Sequence, residues 1–337
     1  MADKKTGRAA TFERLSTVLA MFRLSPEDGT PFPDYKAGQY IALSRADCKL
    51  TKRMVGPDGK PDYAPDVDES GEPKRGTVTH SYSIASAPWE TRERGHLEFY
   101  IVLEMGEHEY PGRLTESFFR MEPGGDDNVG YMNRIVGDFT LDKRAAGARN
   151  VVMVGTGTGL APFVGMVKEL DHLAASGQVD TGVRYTLFHA NRTSEELAYH
   201  RELMAIEDAA RFDFCYVATV SRPTAADRDD PRLGAGRANN VLRHVLGMPV
   251  REEEEIAETE AAGGDVAAAR KALERAVRPA LPARSSLSAL HDRLDPSTSV
   301  ILTCGNPSSM ADIKRVADRS GIRYEKEDWK VVLPSRA

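Results

Sequence analysis

The stretch that most constrains this chain is Val151-Val152-Met153-Val154-Gly155-Thr156-Gly157-Thr158-Gly159-Leu160-Ala161-Pro162-Phe163. Four apolar residues, three of them β-branched valines, predict a buried strand of a parallel sheet. Three glycines at alternate positions then let the backbone turn sharply and approach a bound group with no Cβ in the way. Pro162 suits the first turn of a helix, where its missing N–H would have had no partner. A strand, a glycine turn and a helix N-terminus together face free N–H groups and a positive dipole end at one spot, which predicts a pyrophosphate site. The spacing departs from G-x-G-x-x-G, because Leu160-Ala161-Pro162 follows the third glycine. Alone, the turn is also compatible with an ordinary glycine-rich connection.

With 337 residues the chain is long enough for two domains, each with its own core. Its 41% hydrophobic and 28% charged residues are those of an ordinary soluble protein. A net charge of −6 argues against a nucleic-acid binder. No apolar run approaches a membrane span, and Met1-Ala2-Asp3-Lys4-Lys5 lacks the apolar core of a signal peptide. Cys48, Cys215 and Cys304 are odd in number and far apart, which fits a reducing compartment and leaves no four-cysteine iron–sulfur or zinc site within the chain. A cytoplasmic protein without a metal site is expected.

Along the chain, strands are expected from Thr17 to Leu24, Gln39 to Ser44, Val78 to Ser86 and His96 to Glu104. A short helix is expected from Leu114 to Met121, with further strands near Tyr131 and Phe139. Many short strands at close spacing suggest a small antiparallel barrel. Residues 45–77, with Gly56-Pro57-Asp58-Gly59 and Gly71-Glu72-Pro73, read as a long hairpin insertion. After Asp142 the pattern alternates: strands at 151–154, 185–190, 213–220 and 298–303, helices at 161–175, 194–210, 237–246 and 308–320. This predicts a parallel sheet covered on both faces. Residues 251–284 read as a solvated helical insertion. A first domain of residues 1–145 and a second of 146–337 are expected, with the boundary near 143–150.

An antiparallel barrel followed by a nucleotide-binding α/β domain resembles the ferredoxin–NADP reductase family of flavoenzymes, and five segments carry the resemblance from Tyr35 to Trp329. Lys36-Ala37-Gly38-Gln39-Tyr40-Ile41-Ala42-Leu43 is similar to the family's P-G-Q-[FY]-x-x-L strand, with Ala37 for the proline. His80-Ser81-Tyr82-Ser83 resembles the R-x-Y-S flavin motif; the resemblance implies that Tyr82 packs on the flavin ring and that Ser83 bonds near its N5. His80 stands where the family usually has an arginine on the flavin phosphates. Gly112-Arg113-Leu114-Thr115 resembles the family's pyrophosphate-binding helix start and implies FAD, and Tyr100-Ile101-Val102 matches the strand beside the flavin. Gly137-Asp138-Phe139-Thr140-Leu141 resembles the strand that closes the barrel. The glycine turn, Gly155-Thr156-Gly157-Thr158-Gly159, becomes the nicotinamide dinucleotide site. Cys304-Gly305-Asn306-Pro307, with Met310, resembles the segment beside the nicotinamide, where the cysteine helps position the reacting carbon.

An NAD site usually places a carboxylate at the end of the second strand, and neither His189-Ala190-Asn191-Arg192 nor Val220-Ser221-Arg222-Pro223 supplies one. Arg192, Ser221, Arg222 and Arg237 instead suit a 2′-phosphate, so NADP(H) is expected. Near the C-terminus, the resemblance makes Trp329 the aromatic that covers the flavin and Glu325 or Glu327 the nearby acid. It implies an N-terminal antiparallel FAD-binding β-barrel, a C-terminal parallel-sheet NADP-binding domain, and electron exchange with ferredoxin or flavodoxin. Scattered barrel cations (Arg45, Lys49, Lys52, Arg53, Lys74, Arg75 and Arg113) could steer that partner. The alternatives are an oxygenase reductase component, an NADPH-dependent flavin reductase, and a non-catalytic flavin-bound sensor or interaction module.

Overall fold

The computed structural model describes residues 3–55, 61–105 and 111–327. The chain divides into two compact units between Gly137 and Asp138, a few residues before the expected boundary. Trp329 lies outside the described residues.

The first unit holds strands β1 (Lys4–Arg14), β2 (Leu19–Pro26), β3 (Tyr40–Lys49), β4 (Thr51–Val55), β5 (Pro61–Pro65), β6 (Arg75–Ser83), β7 (Leu97–Val102) and β8 (Asn128–Val136), with helices α1 (Pro88–Arg94) and α2 (Arg113–Phe119). Six strands form one antiparallel sheet in the order β6-β3-β8-β1-β2-β7. The Ala85 N–H donates to the Glu98 carbonyl at 2.9 Å, so the chain beyond β6 meets β7 at the opposite edge and the sheet curls toward a barrel. Its inner face is a cluster built on Phe22, Leu24, Ile41, Leu43, Ile84 and Phe99. The Phe22 ring lies 5.0 Å from Phe99 and 5.3 Å from Phe118, which α2 delivers to the same core.

Three expectations need correction here. β1 has no counterpart in the expected strands. β3 continues to Lys49, so the inserted hairpin is shorter than 45–77 and consists of the ribbon β4–β5, paired Thr51 to Pro65. The strand expected at Gly137–Leu141 is a bend instead: Gly137 has φ +118° and lies under the Tyr40 ring, a conformation and a close approach that suit glycine. Helix α3 (Leu141–Arg144) follows at once.

The second unit contains β9 (Asn150–Thr156), α4 (Ala161–Ala175), β10 (Arg184–Asn191), α5 (His200–Ala209), β11 (Phe214–Val220), α6 (Ala225–Asp229), β12 (Gly234–Ala235) and α7 (Ala238–Val245). After these come α8 (Arg251–Ala261), α9 (Ala267–Arg275), α10 (Leu287–His291), β13 (Ser299–Cys304), α11 (Pro307–Ser320) and β14 (Arg323–Lys326). All strands are parallel, in the order β12-β11-β10-β9-β13-β14. Every residue of β13 and all but the last of β9 are buried, as their apolar runs require. One face packs Val152, Val154, Phe188 and Ile301 against Val241, Leu242, Ile313 and Val316 of α7 and α11. The other is covered by α4 and α5. The helix expected at 194–210 is interrupted: Tyr199 adopts φ +61°, and α5 starts only at His200.

Along the sheet, the chain moves from β9 outward through β10, β11 and β12, then returns to lay β13 on the other side of β9. The strand order therefore reverses between β9 and β13. In such sheets, ligands bind in the crevice beyond the carboxyl ends of the two strands at that reversal.

Candidate functional site

The glycine turn leaves β9 at this reversal. Residues Gly157–Leu160 form one 3-10 turn that runs directly into α4, with Gly157 at φ +56°. A Cβ on Gly159 would lie 2.2 Å from the Cys304 carbonyl oxygen and 2.4 Å from the Gly305 Cα. A Cβ on Gly305, itself at φ +125°, would lie 2.4 Å from the Thr156 carbonyl oxygen. The two loops are pressed together backbone to backbone, and the Asn306 N–H donates to Thr156 Oγ1 at 3.1 Å. Asn306 also caps α11, its Oδ1 accepting from the Ser308 and Ser309 N–H groups, and Met310 lies in that helix's first turn. Gly155, Thr156, Gly157, Thr158, Gly159, Cys304, Gly305 and Asn306 are thus one assembly. Its close backbone approach and its leading 3-10 turn fit a pyrophosphate.

Cys304 is buried, and its Sγ lies 2.8 Å from Glu327 Oε2. Burial, with the neighbouring Glu327 charge, pushes the thiol well above its ordinary range. Cys304 is therefore a protonated thiol that donates to a carboxylate, not a thiolate. Glu327 is held in register as its N–H donates to the Thr303 carbonyl at 3.1 Å. The sequence singled out both residues; only the fold brings them into contact. Glu325 is turned elsewhere, paired with Arg144 at 2.9 Å.

At the ends of β10, β11 and β12 the expected phosphate-binding residues form a row. The Ser221 N–H donates to the Asn191 carbonyl at 2.9 Å, Arg222 N–H to the Arg192 carbonyl at 2.8 Å, and Gly236 N–H, next to Arg237, to the Val220 carbonyl at 2.9 Å. The strand ends themselves supply no acid, but the turn that follows β10 brings one to this row. Glu196, in a 3-10 turn after β10, folds back so that Arg192 Nε donates to its Oε2 at 2.8 Å and Arg192 Nη2 to its Oε1. Arg237 Nη1 lies 3.6 Å from Glu252 Oε1. Linear spacing hid both carboxylates; the i,i+4 relation of Arg192 to Glu196 was the available signal.

In the first unit, β6 alternates its side chains, so Val78, His80 and Tyr82 share one face and Ser81 and Ser83 the other. Tyr82 meets Phe118 edge to face at 5.5 Å and packs against the core cluster. Ser83 is buried, paired across to Tyr40. Partial desolvation of the His80 ring, then the Arg113 charge, lowers the histidine's pKa. The cation at this place is Arg113, not His80. A Cβ on Gly112 would lie 2.8 Å from Thr115 Oγ1, and that hydroxyl donates to the Gly112 carbonyl at 3.1 Å. The first-turn N–H groups of Arg113, Leu114 and Thr115, which a helix leaves without internal partners, are available to an anion. The side chains of Leu114 and Ile101 belong to the core, so only their backbones can serve a ligand; Tyr100 and Val102 share the opposite face of β7 from Ile101. The expected steering cations are largely engaged: Arg45 is buried on Asp47 and Asp126, Lys49 pairs with Glu116, and Lys74 with Asp66. Among the described residues no His, Cys, Asp and Glu group could hold a metal ion, and no helix is long and apolar enough to cross a membrane.

A curled antiparallel sheet followed by a parallel sheet with a glycine turn at its strand-order reversal defines a two-unit class of fold, shared by a solved ferredoxin NADP+ reductase and a solved cytochrome b5 reductase domain. The oxidoreductase NAD-binding domain family matches residues 153–242. The flavodoxin/ferredoxin–NADP reductase of Escherichia coli (strain K12) is 26% identical over 176 residues, 52% of this chain and 64% of that protein. A flavohemoprotein of Halalkalibacterium halodurans is 26% identical over 219 residues, 65% of this chain and 44% of that protein. The chain thus spans less than two thirds of these curated relatives. Among solved structures, a ferredoxin NADP+ reductase from Neisseria gonorrhoeae with bound FAD and NADP shares the fold at TM-score 0.54 and 18% identity, covering 97% of this chain and 99% of that one. The chain is thus similar to flavodoxin/ferredoxin–NADP reductases and flavohemoproteins, and its residues 153–242 carry an oxidoreductase NAD-binding domain.

Proposed function

We propose that this chain binds FAD on its first unit and NADPH on its second, and passes electrons singly to ferredoxin or flavodoxin. The observation that carries the reading is the contact of Cys304 with Glu327 at the strand-order reversal, against the glycine turn. FAD, when bound, supplies the conversion of a two-electron hydride into single-electron steps. The first-turn N–H groups of α2, with Arg113 and Thr115, would hold its pyrophosphate. Ser81, Tyr82, Ser83, Tyr100 and Val102 would line its ring, with Ser83 offering a hydroxyl to the reacting edge. Thr156 and Thr158, with Gly155, Gly157 and Gly159 around them, would hold the dinucleotide pyrophosphate; Ser221 and Arg222, with Arg192 and Arg237, would take the 2′-phosphate. Arg222 is exposed, and among the described residues it has no recorded carboxylate partner.

Cys304 and Glu327 act together. Glu327 accepts from the thiol and holds the proton on Sγ, so the sulfur stays a compact, neutral wall beside the nicotinamide subsite. Such a wall orients the ring and excludes water without covalent chemistry. Ser83 on the first unit, and Cys304 and Glu327 on the second, are the residues proposed to act in catalysis.

The test is the visible spectrum of the purified protein with added FAD, followed by anaerobic NADPH. Flavin bands that bleach with NADPH, and reoxidise on adding ferredoxin or flavodoxin, support the reading. A protein that cannot retain FAD sinks it. The likeness to flavohemoproteins over 65% of the chain favours a second reading, a reductase unit serving another redox centre. Bleaching by NADPH with no reoxidation by either carrier would move the function there.

A further inference from the structure

The nucleotide site carries two acids that its chemistry does not call for. Glu196 is 5% exposed and its carboxylate grips Arg192 through Nε and Nη2, while the Arg192 side chain remains 38% exposed. Glu252 is 6% exposed and opens the inserted helix α8. Its Oε2 accepts from Asn240 Nδ2 at 2.8 Å, and its Oε1 faces Arg237 at 3.6 Å. The insertion is built to hold that carboxylate in place. The Arg251 N–H donates to Asn240 Oδ1 at 2.8 Å, and buried Arg243 grips Glu254 at 2.6 Å. At its far end Ala280 and Ala235 exchange two backbone hydrogen bonds, 2.8 and 3.0 Å, immediately before Gly236 and Arg237. The insertion thus closes on the Arg237 loop from both sides.

We propose that Glu196 and Glu252 are specificity-determining residues that restrain the preference for NADPH over NADH by keeping Arg192 and Arg237 paired; this rests on the nucleotide site proposed above. An arginine bound to a carboxylate offers its phosphate ligand less net charge, and a 2′-phosphate approaching the pair also meets the acid. A ribose 2′-hydroxyl carries no charge and escapes that repulsion. The acids also pre-orient the two guanidinium groups, but orientation alone does not distinguish a dianion from a hydroxyl as strongly as charge does.

The test is calorimetric titration of the intact chain with adenosine 2′,5′-bisphosphate and with 5′-AMP, for wild type, Glu196→Gln, Glu252→Gln, Arg192→Gln and the Glu196→Gln/Arg192→Gln double variant. Glutamine keeps the acceptor oxygen and removes the charge. Glu196→Gln is expected to tighten the bisphosphate about fivefold or more, with 5′-AMP changing less than about twofold. Glu252→Gln is expected to give a smaller gain in the same sense, because Arg237 is 67% exposed and more screened. In the Arg192→Gln background the Glu196→Gln gain vanishes, which a carboxylate that only buttressed the loop would not produce. Unchanged or weakened bisphosphate binding in both single acid variants overturns the inference while leaving the nucleotide site standing. Failure of the wild type to bind either nucleotide overturns both. Should Glu196→Gln not fold, the Glu252→Gln arm decides alone.

Discussion

A thiol 2.8 Å from a buried carboxylate has two properties that experiments separate. Its proton is held, so it cannot be a nucleophile, yet its volume is fixed in the crevice. Burial also raises Cys48 and pushes Cys215 up to about 11. None of these three cysteines should be alkylated by iodoacetamide in the native protein at pH 8, as judged by intact mass, whereas all three react in denaturant. Early labelling of Cys304 would mean that the pairing with Glu327 is not populated. On the proposed function, Cys304→Ala leaves the nucleotide dissociation constant within about threefold and slows flavin reduction by roughly ten- to a hundredfold, read by stopped flow. Equal losses in binding and rate would instead make the cysteine a general packing residue.

Elements meet in the second unit through backbone contacts and one buried ionic knot, and each has a substitution that exposes it. Gly159→Ala would drive a methyl into the Cys304 carbonyl from 2.2 Å, with backbone on both sides unable to yield. It should cost about 2–4 kcal/mol in urea unfolding and remove nucleotide binding. Arg243 is fully buried between Asp312 and Glu254 and so joins α7 to α11 and α8. Replacing it by methionine takes from Asp312 and Glu254 their fully buried cation, leaving them Asn239 and the more exposed Arg251 and Arg319, and should cost roughly 2–4 kcal/mol, read in the same way; a loss under 1 kcal/mol would show that α8 is not anchored there. The elements readable from the sequence are those whose burial writes a simple period. The parallel strands β9, β10 and β13 are buried almost end to end, and α4 falls on residues 161–175 as expected because a glycine turn and Pro162 mark its start. β1 escaped because only Gly7 and Ala9 of its eleven residues are buried, so it carries no apolar alternation. The bend at Gly137 escaped because its cause, the Tyr40 ring, is distant in sequence. Within the site, the glycine turn, Cys304 and the strand-end arginines were legible as residue types, while the partners that set their charge, Glu196 and Glu252, depend on turns and on an inserted helix.

At the scale of the whole chain, the units share one electrostatic trait: each carries histidines that partial or full desolvation holds below their ordinary pKa. His80 and His96 of the first unit and His189 and His200 of the second all have lowered pKa values, with desolvation the largest cause in each. The extreme case is His189, fully buried on β10 and brought down to about 3 by burial and then by the His200 charge. Its Nδ1 lies 2.9 Å from Tyr216 Oη, a hydroxyl that also lies 3.1 Å from His200 Nδ1, and among the described residues its Nε2 has no hydrogen-bond partner. A folded pKa below the unfolded value of 6.5 means the unfolded chain binds the proton first. The stability from neutral His189 is complete above pH 6.5 and is lost progressively as the pH falls from 6.5 toward 3, a loss of about 2 kcal/mol at pH 5. Carboxylates act lower: Asp28, Asp47 and Asp230, each held at about 2, contribute until the pH falls below the ordinary carboxylate value of 3.8. Thermal midpoints measured from pH 7.5 to 5 should therefore drop before these three aspartates titrate. His189→Asn should flatten that slope, because the group responsible is gone. An unchanged slope in the variant would assign the acid sensitivity to the more exposed histidines, and a flat wild-type profile would mean that His189 takes up its proton without unfolding the sheet around it.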